Sequence, residues 1–503
     1  MILDELKYRI RSVFGHVPTA EQEMAIDTFA RFMTDRNEQT VMVLRGAAGT
    51  GKTSLSAAIV QALTSLEQIA TPHSDHRSEK LVLLAPTGRA AKVFSLFSGQ
   101  PAYTIHRRIY RQKSLEGAFD LNYNSAQNTL FMVDEASMIA NASSFGDSIF
   151  AGGQLMDDLI RFVYNDKNCR LILIGDQAQL PPVGEAYSPA LMSDVLRGYG
   201  LYVYECNLSE VLRQSQESGI LYNATQVRRM LEDEDGMMTL PKVRFKGFSD
   251  IKNVPGGELI EQLAASYSRV GLDDTIVITR SNKRANIYNQ GIRNMVLDRE
   301  DELCSGDQIM IVKNNYYWQL GDSNRQLGKA PNASSQQPAA SSQFIANGDR
   351  AVVRRVRHVH EQHGFRFADV TMTFPDYDDF ELTATVLLDT LMSEAAALTR
   401  EQQELLYNKV MEDYADIPQK AERIKKVRED KYYNALQLKF AYAATCHKAQ
   451  GGQWAHVYVD QGYMTDDMLT PDYLHWLYTA FTRATEQLYL VNWPKTQTYD
   501  IPE

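Results

Sequence analysis

Cysteine is scarce: four residues in 503, Cys169, Cys206, Cys304 and Cys446, and no two form a Cys-x-x-Cys pair. That excludes a disulfide scaffold and fits reduced thiols packed in a cytoplasmic protein. No Cys/His grouping has metal-ligand spacing, and no nuclease-type carboxylate cluster is present. No apolar run approaches the ~20 residues that span a bilayer, so no membrane partner is expected. Positive charge is not in excess: 52 Lys and Arg against 63 Asp and Glu leave a net charge of −11. A generally basic coat is thereby excluded, although a local basic channel is not. No segment repeats with a fixed period. The opening residues, MILDELKYRIRSVF, carry acids and read as a short amphipathic helix rather than an export signal.

What is there is alternation. TVMVL, KLVLLA, TLFMVD and CRLILIGD are consecutive apolar runs of the kind buried on both faces of a parallel sheet. Helical patterns such as SLSAAIVQALTSLEQ lie between them, which predicts an α/β domain. After an acidic, loop-rich passage near residue 232, a second set follows: TIVITR, FAYAAT, HVYVD and QLYLV. Between about 304 and 436 short alternating runs predict a small antiparallel barrel or sheet, then a charged helical stretch. KAPNASSQQPAASSQ is low in complexity and reads as a loop. The expected organisation is a first domain over 1–206, a second in two parts, 207–303 and 437–503, and an inserted domain over 304–436.

Gly46, Ala47, Ala48, Gly49, Thr50, Gly51, Lys52 and Thr53 fit G-x-x-x-x-G-K-[ST], with a strand before and a helix after, and together with Ser54 they are the candidate nucleotide-binding residues. Glycines there let consecutive N–H groups turn inward as an anion cradle. Lys52 would meet the β- and γ-phosphates of ATP and Thr53 would reach Mg²⁺. Asp134 and Glu135 end an apolar strand; the first suits the metal, the second suits a general base for water. Gln179, in GDQAQLPPVG, has an amide that can both donate to a phosphate and accept from water. Thr87 and Arg89 at a strand end, and His106 and Arg107 among tyrosines in YTIHRRIYRQK, suit nucleic-acid phosphate and bases.

In order, APTGRAA, VDEAS, GDQAQLPPVG, ATCHKAQGGQW and LYTAFTRATEQLYLV resemble the motifs of superfamily 1 helicases, within them the RecD/Dda type of group 1B. The resemblance runs from Thr19 to Val491. It implies two RecA-like P-loop NTPase domains with parallel sheets plus an inserted small SH3-like β-barrel accessory domain. It implies Gln22 as the adenine reader, Arg213 and Arg483 as arginines on the γ-phosphate, and Gln453 at the nucleotide sugar. The family commonly has a glutamate at the last position. Thr445, His447, Lys448 and Gln450 match the motif joining DNA to the phosphate site, and Asn282 and Lys283 match a backbone-contacting element. SLEGAFDLNYNSAQNTL is expected to be a strand-splitting pin with Phe119 or Tyr123 near its tip. The activity implied is ATP-driven translocation on single-stranded DNA, 5′ to 3′, with unwinding at single-strand/duplex junctions by a monomer. The competing readings are a P-loop remodeller or switch acting on a protein partner, a non-catalytic binding module, and an RNA helicase.

Overall fold

The computed structural model describes residues 2–70, 80–112, 119–141, 154–165, 168–210, 217–233, 239–320, 343–465 and 468–499. Two compact units divide the chain. The first comprises the described residues of 1–112, 118–281 and 444–503, the second those of 282–443.

The first unit contains two lobes. In the first lobe the strands are β1 (Thr40–Gly46), β2 (Leu81–Ala85), β3 (Ala102–Thr104), β6 (Leu130–Val133), β7 (Arg170–Gly175) and β8 (Tyr202–Leu208); β4 (Tyr110–Gln112) and β5 (Phe119–Leu121) form a separate hairpin. The sheet order is β3-β2-β6-β7-β1-β8, parallel at every pairing. Its consecutive apolar runs serve two cores. Met42 and Leu44 of β1 pack on one face with Leu83, Met132 and Ile172, while Val41 and Val43 pack on the other with Val82, Phe131 and Leu171. Period-two alternation sends each apolar side chain to a helical layer, so no polar face remains. The carboxyl ends of β1, β6 and β7 lie side by side, which is where open α/β sheets gather ligand-binding loops.

The second lobe is a five-stranded sheet in the order 443–445, 275–279, 454–460, 484–491 and 251–254. The two strands made earliest, Ile251–Val254 and Thr275–Thr279, do not touch each other; strands from the end of the chain separate them. Helix Pro471–Phe481 is buried along most of its length. Its core also takes in Ala178 and Leu180 from the loop after β7, so the lobes share apolar packing.

The second unit is built on a closed barrel of strands 308–311, 350–362, 365–374, 380–387 and 436–440, as the alternating pattern predicts. Helices Arg400–Asp413 and Lys420–Arg428 precede its last strand. The unit starts at 282 rather than 304, because helix Asn282–Met295 is tied to the barrel by a buried charge network. Arg293 donates from Nε and Nη2 to the two oxygens of Asp307, each at 3.1 Å, and the Tyr442 hydroxyl donates to Oδ1 at 2.8 Å. Removing one partner of such a buried pair typically costs ~3–5 kcal/mol. The unit ends at 443 rather than 436 because the last barrel strand runs Leu436–Phe440. The first lobe likewise runs past 206, since β8 pairs with β1 through Leu208. No described helix is long and apolar enough to cross a membrane.

Candidate nucleotide site and lobe interface

The loop after β1 turns as its glycines require. Gly49 and Gly51 have φ of 77° and 82°, and a Cβ on Gly46 would sit 2.8 Å from Lys52 Cγ. Helix Lys52–Ala70 starts at the loop's end, with Thr53 and Ser54 exposed in its first turn. The Lys52 ammonium is folded back on the loop, donating to the carbonyls of Gly46 and, at 2.9 Å, Ala47. The Thr50 hydroxyl donates to Ala47 O at 2.8 Å. Gln22 is fully buried beside the loop. Its Nε2 donates to Thr50 O at 3.0 Å and its Oε1 accepts from Thr19 N at 2.9 Å in a capping box. Both ends of this amide hold the P-loop against its preceding helix; adenine contact would require exchange of the Thr50 bond.

Asp134 follows β6, its N–H donating to Leu84 O at 3.0 Å. Its Oδ1 accepts from Glu135 N at 2.9 Å. Glu135 adopts a left-handed backbone, φ 51°, a conformation unfavourable for a non-glycine residue and recurrent at functional sites. Burial, and then the Glu135 charge, push the Asp134 carboxyl up to about 7, against the pull of Lys52. A cation beside it would reverse that logic. Asp134, Glu135 and Thr53 line one small cavity of about 70 Å³ with Gly451 and Gln453 of the second lobe. A half-buried acid short of countercharge beside a hydroxyl fits a divalent cation, so the donor set suits Mg²⁺.

Arg483 is buried and held by the Thr479 and Gly452 carbonyls, each at 3.1 Å. Its Nη1 lies 3.9 Å from Glu135 Oε1. Gln179, with its amide oriented by its neighbours, donates to Glu135 Oε2 at 3.2 Å and accepts from Arg483 Nη2 at 3.2 Å. The acid of one lobe, the amide at the seam and the arginine of the other thus form one chain. Around it, Leu180 N donates to Thr479 Oγ1 at 2.7 Å, and Ala48 N donates to the Tyr478 hydroxyl at 2.9 Å. Tyr478 and Thr479 escaped the sequence reading, although they sit within LYTAFTRA.

Two residues expected on nucleic acid are engaged between the lobes instead. Arg89 donates from Nη2 to Gln453 O at 2.7 Å and lies 4.7 Å over the Trp454 ring. Gln450 is buried, its Nε2 donating to Leu180 O at 2.6 Å. Thr87 caps helix Gly88–Ser98 by accepting from Ala90 N at 3.2 Å, and a Cβ on Gly451 would come within 3.2 Å of its hydroxyl oxygen. His106 is half-buried, its imidazole pushed down to about 4 by burial, and the Arg107 guanidinium lies 4.9 Å from the Tyr103 ring centroid. Thr445 and Lys448 are partly exposed and His447 exposed, flanking or within the short helix Cys446–Ala449. Asn282 and Lys283 open the first helix of the second unit, where Lys283 Nζ is 3.7 Å from Glu394. Arg213 lies outside the described residues. The expected hairpin is present as β4 and β5, and Phe119 pairs with Gln112 at its outer end. Tyr123 is exposed but lies two residues past β5 at the base, not near the tip, because the strand stops at Leu121.

The strand-loop-helix cradle, the strand-end acids and the arginine from a second parallel-sheet lobe define a P-loop NTPase with two RecA-like lobes and a barrel insert. A sequence model of the AAA domain matches residues 31–185, and one of the UvrD-like helicase C-terminal domain matches 440–491. The chain is 26% identical over 277 residues to the ATP-dependent DNA helicase dda of Enterobacteria phage T4, covering 54% of this chain and 56% of that one. It is 31% identical over 149 residues to the ATP-dependent RecD2 DNA helicase of Deinococcus radiodurans, covering 28% of this chain and 16% of that one. A crystal structure of Pif1 helicase from Bacteroides with ADP-AlF3 and ssDNA is similar at a TM-score of 0.44 and 14% identity, covering 97% and 95% of the two chains. The chain thus spans about half the length of the first of these curated relatives and a sixth of the second, and is similar over those stretches to DNA helicases of the Dda and RecD2 type.

Proposed function

We propose that the protein is an ATP-dependent helicase that moves along single-stranded DNA, 5′ to 3′, and separates duplex ahead of it. The observation that carries this is the Glu135–Gln179–Arg483 chain across the lobe seam. A γ-phosphate lodged between Lys52 and Arg483 would be held by both lobes, so its loss would change their spacing. Glu135 takes the proton of the attacking water as the bond to the leaving ADP breaks. Gln179 orients Glu135 and reports its state to Arg483. Asp134 and Thr53 would hold Mg²⁺, which would supply neutralising charge to the phosphoryl group. Gln22 and Gln453 are assigned to the base and sugar by family resemblance, Gln22 after exchanging its Thr50 bond; an amide at 453 binds a hydroxyl without the charge of the family's usual acid, so preference for ATP over other nucleoside triphosphates is expected to be mild.

On the DNA side, Thr87, His106, Arg107, Thr445, His447 and Lys448 belong to loops and helix starts of the two lobes and suit phosphate and base contact. Arg213 is assigned to the γ-phosphate, and Asn282 and Lys283 to the DNA backbone, by family resemblance. A duplex step costs about 1.4 kcal/mol, within reach of one hydrolysis. A cytoplasmic monomer working at single-strand/duplex junctions completes the reading; the described cysteines form no disulfide, as in a reducing compartment.

The test is unwinding of duplexes bearing a 5′ or a 3′ single-stranded tail, with ATPase followed in the same reactions and RNA of equal sequence alongside. Unwinding of only the 5′-tailed DNA is expected. Turnover indifferent to added oligonucleotide would favour the protein-remodeller reading, and stronger stimulation by RNA the other. For the hairpin, Phe119→Ala is expected to cut unwinding at least several-fold while DNA-stimulated ATPase stays within about twofold. Tyr123→Ala, at the hairpin base, is expected to do less. Full unwinding by both variants would place the pin elsewhere.

A further inference from the structure

Tyr478 comes from the second lobe, yet its hydroxyl sits at the P-loop. It accepts from Ala48 N–H at 2.9 Å and donates to Asp176 Oδ2 at 2.6 Å. That carboxylate oxygen is also the one 3.9 Å from Lys52 Nζ. The other oxygen of Asp176 accepts from Ala178 N at 3.0 Å. Lys52 and Asp176 are both largely buried, so contact between them at hydrogen-bond distance would be strongly favoured there. The phenol competes for that oxygen. Its short bond has the length of a charge-assisted O–H···O⁻ contact and occupies one of the acceptor sites on the oxygen nearest the ammonium. Lys52 turns instead to the Gly46 and Ala47 carbonyls, neutral partners that a phosphate can displace.

We propose that Tyr478 is a positioning residue that keeps Asp176 from capturing Lys52, making the P-loop's hold on nucleotide depend on the second lobe being docked. This rests on the reading of the site as an ATPase. When the lobes part, Tyr478 leaves with its helix. Asp176 then keeps only the Ala178 N–H among the partners described for it, and closes on Lys52. The phosphate loses its lysine at the moment the cleft opens, so product release follows opening. Tyr478 needs no contact with the nucleotide for this; it acts through a carboxylate.

The experiment is a titration of fluorescent ADP against full-length protein, paired with steady-state ATPase at saturating single-stranded DNA. Tyr478→Phe keeps the ring and removes the hydroxyl. It is expected to weaken ADP binding and raise KM for ATP by about tenfold, with kcat within about twofold. Adding Asp176→Asn in the same chain is expected to restore both to within about threefold of wild type, because the competing charge is gone. A packing role for Tyr478 would not be rescued by that second change. Unmoved ADP affinity in Tyr478→Phe, or failure of Asp176→Asn to restore it, overturns the proposal. If Tyr478→Phe does not fold, Asp176→Asn alone decides: ADP is expected to bind several-fold tighter, and unchanged or weaker binding overturns the idea. Wild-type protein without DNA-stimulated turnover would refute the helicase reading, whereas ADP binding reports on Tyr478 whether or not hydrolysis occurs.

Discussion

Replacing Arg483 with alanine is expected to lower DNA-stimulated kcat by about 10³-fold, the scale set by arginine fingers in other P-loop NTPases. The guanidinium is buried, bonded to two backbone carbonyls of its own lobe, and aimed at Gln179 and Glu135 of the other. Its charge would sit beside the phosphoryl oxygens as the leaving bond stretches. Arg483→Lys keeps the charge but cannot span Gly452, Thr479 and Gln179 with one planar group, and is expected to recover little. Nucleotide binding, read by fluorescent ADP, is expected to survive, because the P-loop contacts belong to the first lobe. The alanine variant also leaves the Gly452 carbonyl without its donor, so a lower melting temperature is expected alongside. A kcat within about tenfold of wild type would remove Arg483 from the chemistry.

Glu135→Gln is expected to reduce kcat by about 10²- to 10⁴-fold, the range for loss of a positioned general base. The amide keeps the shape and still accepts from Gln179, but takes no proton from water. Loss of the Glu135 charge also removes one of the two causes that raise Asp134, so Asp134 ionises more readily and the cation site is strengthened. The variant should therefore hold ATP without turning it over and grip single-stranded DNA more tightly when ATP is present. Single-turnover chemistry and DNA affinity with and without ATP are the measurements. Turnover near wild type would mean that another group activates the water.

The sequence made the nucleotide site readable because its parts are local. Eight consecutive residues specify the cradle, and an apolar run ending in two acids specifies the strand beside it. Runs such as TVMVL announce a sheet buried on both faces because each residue of the run feeds one of two cores. Short or exposed strands gave no such signal. Ala102–Thr104 has three residues, and Tyr202–Leu208 is a partly exposed edge. FAYAAT reads as one strand, but Phe440 ends a barrel strand and Ala443–Thr445 joins the second lobe's sheet. Between them the buried Tyr442 bonds to Asp307, far back in the chain. The lobe interface was the least legible part. Arg89 meets Gln453 across 364 positions and Ala48 meets Tyr478 across 430. A cation after a strand looks equally suited to a phosphate or a distant carbonyl, and only the fold decides.

The interleaving of the second lobe's sheet bears on how the chain matures at the ribosome. Strands 251–254 and 275–279 emerge early, but the first waits for 484–491 and the second for 443–445 and 454–460, all synthesised after the barrel strands, before either has a neighbour. The first lobe has all its strands by Leu208 and can fold during translation, so a chain stalled before residue 444 would carry a formed P-loop and two strands with unpaired edges. Such nascent species are expected to bind nucleotide, lack the arginine needed to consume it, and associate through those edges.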